Sequence, residues 1–445
     1  MNASLSSRHA FRGSVLHFLS DPGEGGAPHA CEFFEDGLML VENGLVVALG
    51  YYSELYPTLP AGTPLTDYNG KLIMPGFIDT HIHYPQTDVI ASPGTQLLDW
   101  LERYTFPAER RFDDIGHATE VAEFFVDELL RNGTTTALVF GTVHRQSIDA
   151  FFTVAAQRNL RMVAGKVLMD RNCPEFLRDT PDSGFADSAA LIERWHGQGR
   201  LGYAITPRFA ITSSEAQLAR AGELAQAYPN VHIHSHLAEN TAEVAWVAEL
   251  FPDSRSYLDV YDHYGLLRER AVYAHCVHLD EADRRRMADS GATAAFCPTS
   301  NLFLGSGLFD LAGSRDAGMR VGLATDVGGG TSFNMLQTLG ESYKVAQLRG
   351  YTLSPLLAFY MITLGNAIAL GLDSHIGNFA AGKEADFVVL DPASTPLIAR
   401  RMESAATLAE RLFILMMLGD DRAIAATYIR GKSEYHRNQQ VISNA

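Results

Sequence analysis

Paired cysteines are absent from the sequence. Four cysteines are scattered along 445 residues, and no two of them form a Cys-x-x-Cys motif. This usage is typical of a reducing compartment and excludes a disulfide framework. We expect all four to be small residues of the core or of cavity walls: Cys31, Cys173, Cys276 and Cys297.

Long apolar runs and an excess of positive charge are also lacking. The longest purely apolar stretches, such as 412–418, are far too short to span a bilayer, and residues 1–12 show no signal-peptide pattern. Lys and Arg number 35 against 52 Asp and Glu, which gives a formal net charge of −17. Such a field repels phosphate backbones, so we expect no nucleic-acid partner. The short apolar runs and the lack of a signal peptide lead us to expect no membrane partner and a cytoplasmic location.

What remains is the composition of a globular protein, 47% hydrophobic and 20% charged, with no low-complexity tract.

Between residues 74 and 372, strand-like and helix-like patterns alternate, which predicts parallel strands joined by helical crossovers. Helical patterns cover 118–131, 213–227, 241–250, 281–289 and 334–348. Strand patterns cover 77–83, 134–140, 162–169, 203–207, 231–236, 271–275, 292–297 and 321–326. Eight such units predict the α/β class and a (β/α)8 TIM-like barrel, in which the chemistry lies where the strands end.

The two ends of the chain carry β patterns of a different kind. Short strands are predicted at 15–19, 31–34, 37–41 and 45–50, and Glu42-Asn43-Gly44 is a strong hairpin signal. These strands are too few to close a core, and the patterns at 386–390 and 425–429 supply the missing ones. We therefore predict a discontinuous β-sandwich domain made of residues 1–73 and 373–445, with the barrel domain at 74–372.

A His-x-His motif, His81-Ile82-His83, ends the first predicted barrel strand. Residues two apart on a strand point to the same side, so both imidazoles project together and could hold one metal ion. For an isolated motif, a pair of hydrogen-bonded core histidines is an equally good interpretation. The ends of the other strands decide between the two.

Three further strands end on residues suited to metal binding or proton transfer. Strand five ends on His236, strand six on His275 and strand eight on Asp326. The strand ends of a closed barrel converge on one mouth, so the sequence predicts a metal site there. Its ligands would be His81, His83, His236 and Asp326.

This ligand set suits zinc, at which a bound water has a pKa of about 7, although Fe²⁺ and manganese accept the same ligand types. A second metal would need a bridging carboxylate, such as a carboxylated lysine at the end of strand four. That strand contains no lysine. Lys166 lies on the third strand, where we expect it to have an ion partner. One Zn²⁺ per subunit is therefore the expected cofactor.

Glu239 follows His236 by three residues, where the predicted strand gives way to a loop or helix. There it could take a proton from the metal-bound water and give it to a substrate nitrogen. His275 would orient the attacking hydroxide, and Asp326 would accept its proton. The alternative for Glu239 is an ordinary first-turn residue of the helix at 241–250.

In this order the motifs resemble the amidohydrolase superfamily, in particular its single-metal aminohydrolase branch. The stretch 75–83, Pro-Gly-Phe-Ile-Asp-Thr-His-Ile-His, is similar to the superfamily signature, and the likeness covers essentially the whole chain. A narrower similarity to guanine deaminases is carried by 83–86, 97–109, 206–209, 235–240 and 325–330. The resemblance implies a hydrolase of C–N bonds in cyclic amidines that converts guanine to xanthine and ammonia in purine catabolism, and a homodimer.

The resemblance also implies a substrate pocket in which Gln86 and Arg208 bind guanine while Phe209 and Trp100 pack in the pocket. The metal ligands His83, His236 and Asp326 would contact the substrate as well. A guanidinium only donates hydrogen bonds, so Arg208 favours a base with a carbonyl oxygen over adenine. Taken alone, Arg208 could be a rim salt-bridge residue, Phe209 core and Trp100 helix packing. Residues 95–111 are predicted to form a lid.

Two alternatives stay open. One is a related aminohydrolase or chlorohydrolase that acts on another heterocycle, such as 8-oxoguanine, a pterin or a triazine. The other is a non-catalytic scaffold on the same barrel, which is disfavoured because every predicted ligand position is filled. The second known zinc-deaminase fold requires a Pro-Cys-x-x-Cys motif, which the sequence lacks.

Overall fold

The computed structural model describes residues 8–94 and 96–437. The expectation of no leader segment at 1–12 falls largely outside the described residues, as do Thr95 of the predicted lid and the last part of the predicted second domain, 438–445. No helix within the described ranges has the length and apolar character needed to cross a membrane.

Sixteen strands in the described residues are numbered in chain order. They are Arg8–Phe18 (β1), Cys31–Glu42 (β2), Leu45–Tyr51 (β3), Leu65–Pro75 (β4), Phe77–His83 (β5), Thr134–Phe140 (β6), Arg161–Gly165 (β7), Val167–Leu168 (β8), Gly202–Pro207 (β9), His232–Leu237 (β10), Ala271–His275 (β11), Thr293–Phe296 (β12), Arg320–Leu323 (β13), Phe387–Leu390 (β14), Ile424–Ile429 (β15) and Lys432–His436 (β16). The longer helices are Ile115–Arg131, Arg145–Gln157, Pro181–Trp195, Glu215–Ala227, Thr241–Leu250, Glu281–Ser290, Met335–Leu348 and Leu408–Leu418. Shorter helices include Phe106–Glu109, Tyr257–His263, Pro298–Phe303, Leu311–Asp316, Pro355–Tyr360 and Pro396–Met402.

Strands from both chain ends form one sheet, in the order β16-β15-β14-β4-β1-β2-β3. The sheet curls so that its edge strand β3 comes near β14. Val46 of β3 donates a backbone hydrogen bond to the Lys383 carbonyl (2.8 Å), close to the start of β14. Its inner face encloses a small core in which the rings of Phe11, Phe387 and Tyr428 pack together. A β domain assembled from both ends is therefore confirmed, and its strands make one continuous curled sheet. The predicted boundaries at 73 and 372 stay predictions.

Eight parallel strands form the barrel, in the order β5, β6, β7, β9, β10, β11, β12 and β13, while β8 pairs only with β9. Backbone hydrogen bonds from Asp326 to the His81 carbonyl (3.0 Å) and from His83 to the Val327 carbonyl (2.8 Å) join the segment after β13 to β5. The predicted (β/α)8 architecture is confirmed, and its closing bonds lie at the mouth that carries the histidines.

In the terminal sheet, the strand predicted at 15–19 is observed as Arg8–Phe18, and those predicted at 31–34 and 37–41 form the single strand Cys31–Glu42. Two predicted barrel strands also differ from the observed ones. The segment 162–169 is broken into β7 and β8 at Lys166, whose N–H bonds to the Tyr203 hydroxyl (3.3 Å) instead of a neighbouring strand. Its buried ammonium pairs with Asp179 (2.5 Å), as expected. The last barrel strand ends at Leu323 rather than at Asp326. Asp326 has φ 52°, a left-handed conformation that β-strands do not contain.

None of the four cysteines, all of which lie in the described residues, is joined to another in a disulfide. Cys276 and Cys297 are buried, whereas Cys31 and Cys173 are half-buried. None of them belongs to the histidine cluster described below.

Candidate active site

Three histidines converge at the barrel mouth. His81 and His83 project from β5 on the same side because they are two residues apart on a strand, and His236 projects from β10. The Nε2 atom of His83 lies 3.1 Å from that of His81 and 3.2 Å from that of His236. The structure therefore brings together, from two strands, the imidazoles that the sequence predicted as ligands.

Asp326 and His275 complete the cluster. Asp326 Oδ1 lies 3.1 Å from His81 Nε2 and 3.5 Å from His83 Nε2, and Asp326 Oδ2 lies 3.8 Å from His275 Nε2. The ligand atoms of His81, His83 and His236 lie within 4.8 Å of one another, as do those of His81, His275 and Asp326. Such spacing is compact enough for one ion to reach several of these atoms.

The Nδ1 atoms, which are the ring nitrogens outside the cluster, contact neighbouring polar groups. His236 Nδ1 donates to the Arg208 carbonyl (2.7 Å), and His81 Nδ1 lies 2.7 Å from Nε2 of the buried His234. Burial lowers the pKa of His81, and that of His83 and His236 well below the usual value. Neutral imidazoles with oriented rings beside a carboxylate are the donor set of a divalent metal site.

Backbone strain accompanies two of these residues. His275 has φ 73° and Asp326 has φ 52°, although neither is glycine. Such conformations cost free energy and persist where the surroundings fix them, typically at functional sites. His275 is fixed further by Asn301, whose side-chain oxygen lies 2.9 Å from Nδ1. Burial lowers the pKa of His275, but the carboxylates of Glu239 and Asp326 outweigh it, so that the pKa is raised overall.

Glu239 lies in the loop between β10 and the helix Thr241–Leu250, so it precedes the first turn of that helix. Its side chain is buried, with Oε2 3.3 Å from His275 Nε2 and Oε1 accepting a hydrogen bond from Ser306 (3.0 Å). Burial raises the pKa of Glu239 to about 7, helped by the nearby carboxylate of Glu243. A carboxyl group that gains and loses a proton near neutral pH is suited to proton transfer.

A cavity opens onto this cluster. The four side chains predicted to contact the base all lie in its wall: Gln86, Trp100, Arg208 and Phe209. The rest of the wall consists of His83, Leu97, Leu101, His236, Glu239, His275, Leu304, Asp326 and Gly329. The wall thus combines apolar and aromatic side chains with a small number of polar and ionisable groups, as is usual for a small-molecule site.

Arg208 is a buried ion-pair residue as well as a wall residue. Its Nη1 donates to both carboxylate oxygens of Glu109, at 2.9 and 2.8 Å. Gln86 also contacts Glu109: its Nε2 atom lies 3.5 Å from Glu109 Oε1 and 3.0 Å from His83 Nδ1. Burial raises the pKa of Glu109 against the opposing effect of Arg208.

Several side chains that support the site were not predicted: Glu109, His234, Glu243, Asn301 and Ser306. The alternation in 232–236, His-Ile-His-Ser-His, could have placed His234 on the same face as His236. No local pattern singles out Glu109 or Ser306, because each meets its partner across a large sequence separation.

A closed parallel barrel with imidazoles and a carboxylate clustered at its mouth, next to a buried carboxyl group of raised pKa, defines a metal-dependent hydrolase. Comparison with known proteins specifies the family. The model of the amidohydrolase family matches residues 72–433, and the chain belongs to that family.

The relatives are close in both sequence and structure. The guanine deaminase of Escherichia coli (strain K12) is 53% identical over 432 residues, which cover 96% of this chain and 98% of the relative. The solved E. coli guanine deaminase structure has a TM-score of 0.95 and covers 97% of this chain and 100% of that one. A guanine deaminase from C. acetobutylicum, solved with guanine bound in the active site, has a TM-score of 0.86 at 28% identity and covers 96% of this chain and 99% of that one.

Proposed function

We propose that this enzyme is a guanine deaminase, which hydrolyses guanine to xanthine and ammonia. One observation carries the proposal: the base-reading pair Gln86 and Arg208 and the proton-transfer group Glu239 face a single cavity above the histidine cluster. The close relatives named guanine deaminases support the same substrate.

One Zn²⁺ per subunit would be held by His81, His83, His236 and Asp326, and Fe²⁺ would accept the same ligands. The fit rests on the neutral imidazoles, whose Nε2 atoms meet in one place while their Nδ1 atoms contact other groups. When bound, such a metal makes water nucleophilic at neutral pH.

Glu239 moves the protons of the reaction. It accepts one from the attacking water and delivers it to the ring nitrogen next to the carbon that carries the amino group. His275 and Asp326 hydrogen-bond the attacking oxygen, and Asp326 takes up the second proton of the water. That proton passes to the amino group, which leaves as ammonia and so returns Asp326 to its ionised form. The catalytic groups are therefore Glu239, His275 and Asp326.

The remaining cavity residues bind the base. Arg208 donates to the carbonyl oxygen of guanine, and the Gln86 amide pairs with a neighbouring polar atom of the ring. Trp100 and Phe209 pack on the flat faces of the purine. The metal ligands His83, His236 and Asp326 also border the reacting carbon, while residues 96–111 cover the base as a lid.

The test is an absorbance assay of guanine conversion to xanthine on the purified protein, combined with metal analysis. We expect stoichiometric metal and efficient turnover of guanine. Faster turnover of 8-oxoguanine, a pterin or a triazine would replace the substrate while keeping the hydrolase class. The homodimer, the cytoplasmic location and the role in purine catabolism stay predictions.

A further inference from the structure

Glu109 is the feature of the cavity that the proposed reaction does not use. Its side chain is completely buried and ends the short helix Phe106–Glu109 in the lid segment. It contacts the two side chains proposed to bind the base, with two short bonds to Arg208 and a 3.5 Å contact to Gln86. Arg208 and Gln86 line the cavity, whereas Glu109 is not among the lining residues.

The charge of Arg208 is matched by this one carboxylate. Among the described residues, Glu109 is the ion-pair partner of the Arg208 guanidinium, and neither side chain is more than 2% exposed. The ring of Phe106, from the same helix, packs against the guanidinium at 5.4 Å. A buried cation without a partner attracts anions strongly, so the carboxylate decides which charge state of a ligand the pocket accepts.

We propose that Glu109 is a specificity-determining residue, which neutralises Arg208 so that the pocket binds neutral purines and releases acidic ones. This inference rests on the proposed function. Guanine is neutral at physiological pH, whereas its product xanthine has a second carbonyl group that stabilises the anion, so xanthine is the stronger N–H acid. A neutral pocket binds the substrate without retaining the ionised product.

The test compares the metal-loaded enzyme with its Glu109→Gln variant. The inhibition constant for xanthine is measured between pH 6 and pH 9, together with KM and kcat for guanine. We expect xanthine to bind the variant at least about tenfold more tightly at the alkaline end, with a smaller difference at pH 6. For the neutral guanine, the ratio of the variant's KM to that of the wild type should not show this pH dependence. This comparison separates an effect of charge from a general distortion of the pocket.

Other titratable groups also face the cavity: His83, His236, Glu239, His275 and Asp326. They are the same in the wild type and the variant, so the difference between the two pH profiles isolates Glu109. Glu109→Asp keeps the charge and should bind xanthine like the wild type. Asp179→Asn removes the partly buried carboxylate partner of Lys166, outside the cavity, and should leave the xanthine profile unchanged.

The outcomes separate the two proposals. If the wild type does not deaminate guanine, the proposed function fails, while calorimetric binding of neutral and anionic purines still reports charge selection. If guanine is deaminated but Glu109→Gln binds xanthine as the wild type does at every pH, the role of Glu109 is wrong. Should Glu109→Gln not fold, xanthine binding to Glu109→Asp decides, and a tighter, pH-dependent affinity there contradicts the inference.

Discussion

Ser306 donates its hydroxyl hydrogen to Glu239, with Oγ 3.0 Å from Oε1, although the two residues are 67 positions apart. Both side chains are buried, so no bulk water competes for the bond. A hydrogen bond donated to a carboxylate stabilises its ionised form and lowers its pKa. Ser306 thus opposes the burial that raises the pKa of Glu239 to about 7.

Replacing Ser306 by alanine should raise the pKa of Glu239 further. Because the ionised carboxylate accepts the proton of water, the acidic limb of the kcat/KM profile should move to higher pH. At neutral pH we expect a loss of about tenfold in kcat/KM, as for removal of one bond to a charged group. Ser306→Thr keeps the hydroxyl and serves as the control. An unchanged acidic limb in Ser306→Ala would show that the bond does not tune Glu239.

Glu239→Gln should abolish proton transfer while preserving the site. The amide is nearly the same size and cannot shuttle a proton, so kcat should fall by about a thousandfold or more. Metal content should equal that of the wild type, since Glu239 is not among the expected ligands. Plasma emission spectrometry and the guanine assay measure the two quantities. Near wild-type turnover would remove Glu239 from the mechanism.

His234→Gln should weaken metal binding. Its Nε2 atom lies 2.7 Å from Nδ1 of His81, so the residue fixes the orientation of a predicted ligand. Loss of such a supporting partner typically lowers metal affinity by about 10- to 100-fold, which competition with a chelator would measure. His232→Gln is the matched control, because His232 lies on the same strand and bonds to the Leu370 carbonyl. Equal affinities in both variants would refute the role of His234.

Glu384 should stabilise the fold above acidic pH. It pairs with Arg161 (2.6 Å), the first residue of β7, and with Arg200 (2.8 Å), which precedes β9, whereas Glu384 precedes β14 of the terminal sheet. Burial raises the pKa of Glu384, but the two arginines outweigh it, so that the pKa in the folded protein is below its usual value. The ion pairs therefore stabilise the protein at neutral pH, and this stabilisation disappears as the pH falls through the folded-state pKa.

Urea unfolding of the wild type and of Glu384→Gln tests this pH dependence. At pH 7 the variant should lose about 3 kcal/mol in the free energy of unfolding. The difference should shrink as the pH falls through the folded-state pKa of Glu384, because the wild-type carboxylate then becomes protonated. Glu281→Gln, which removes an exposed partner of Arg285 on a helix surface, should have little effect at either pH. A constant difference across the pH range would contradict the linkage.

The barrel could be predicted from the sequence because its signals are local. Alternation in 77–83 places His81 and His83 on one side of a strand, and the repeated strand-helix pattern predicts closure. Together these put the ligand candidates at one mouth without any knowledge of contacts. The end of the last strand was placed wrongly, because the turn of Asp326 into a left-handed conformation follows from its bonds to β5 and not from its own sequence.

The sequence by itself determined which residues can bind a metal, which can transfer a proton and at which strand ends they lie. Only the tertiary structure decided which side chains support them. Glu109 accepts hydrogen bonds from Arg208, which is 99 positions away, and Ser306 donates one to Glu239 from another loop. The physical reason is that periodicity is set by neighbouring backbone dihedrals, whereas a buried hydrogen bond or ion pair depends on how separate elements pack against one another.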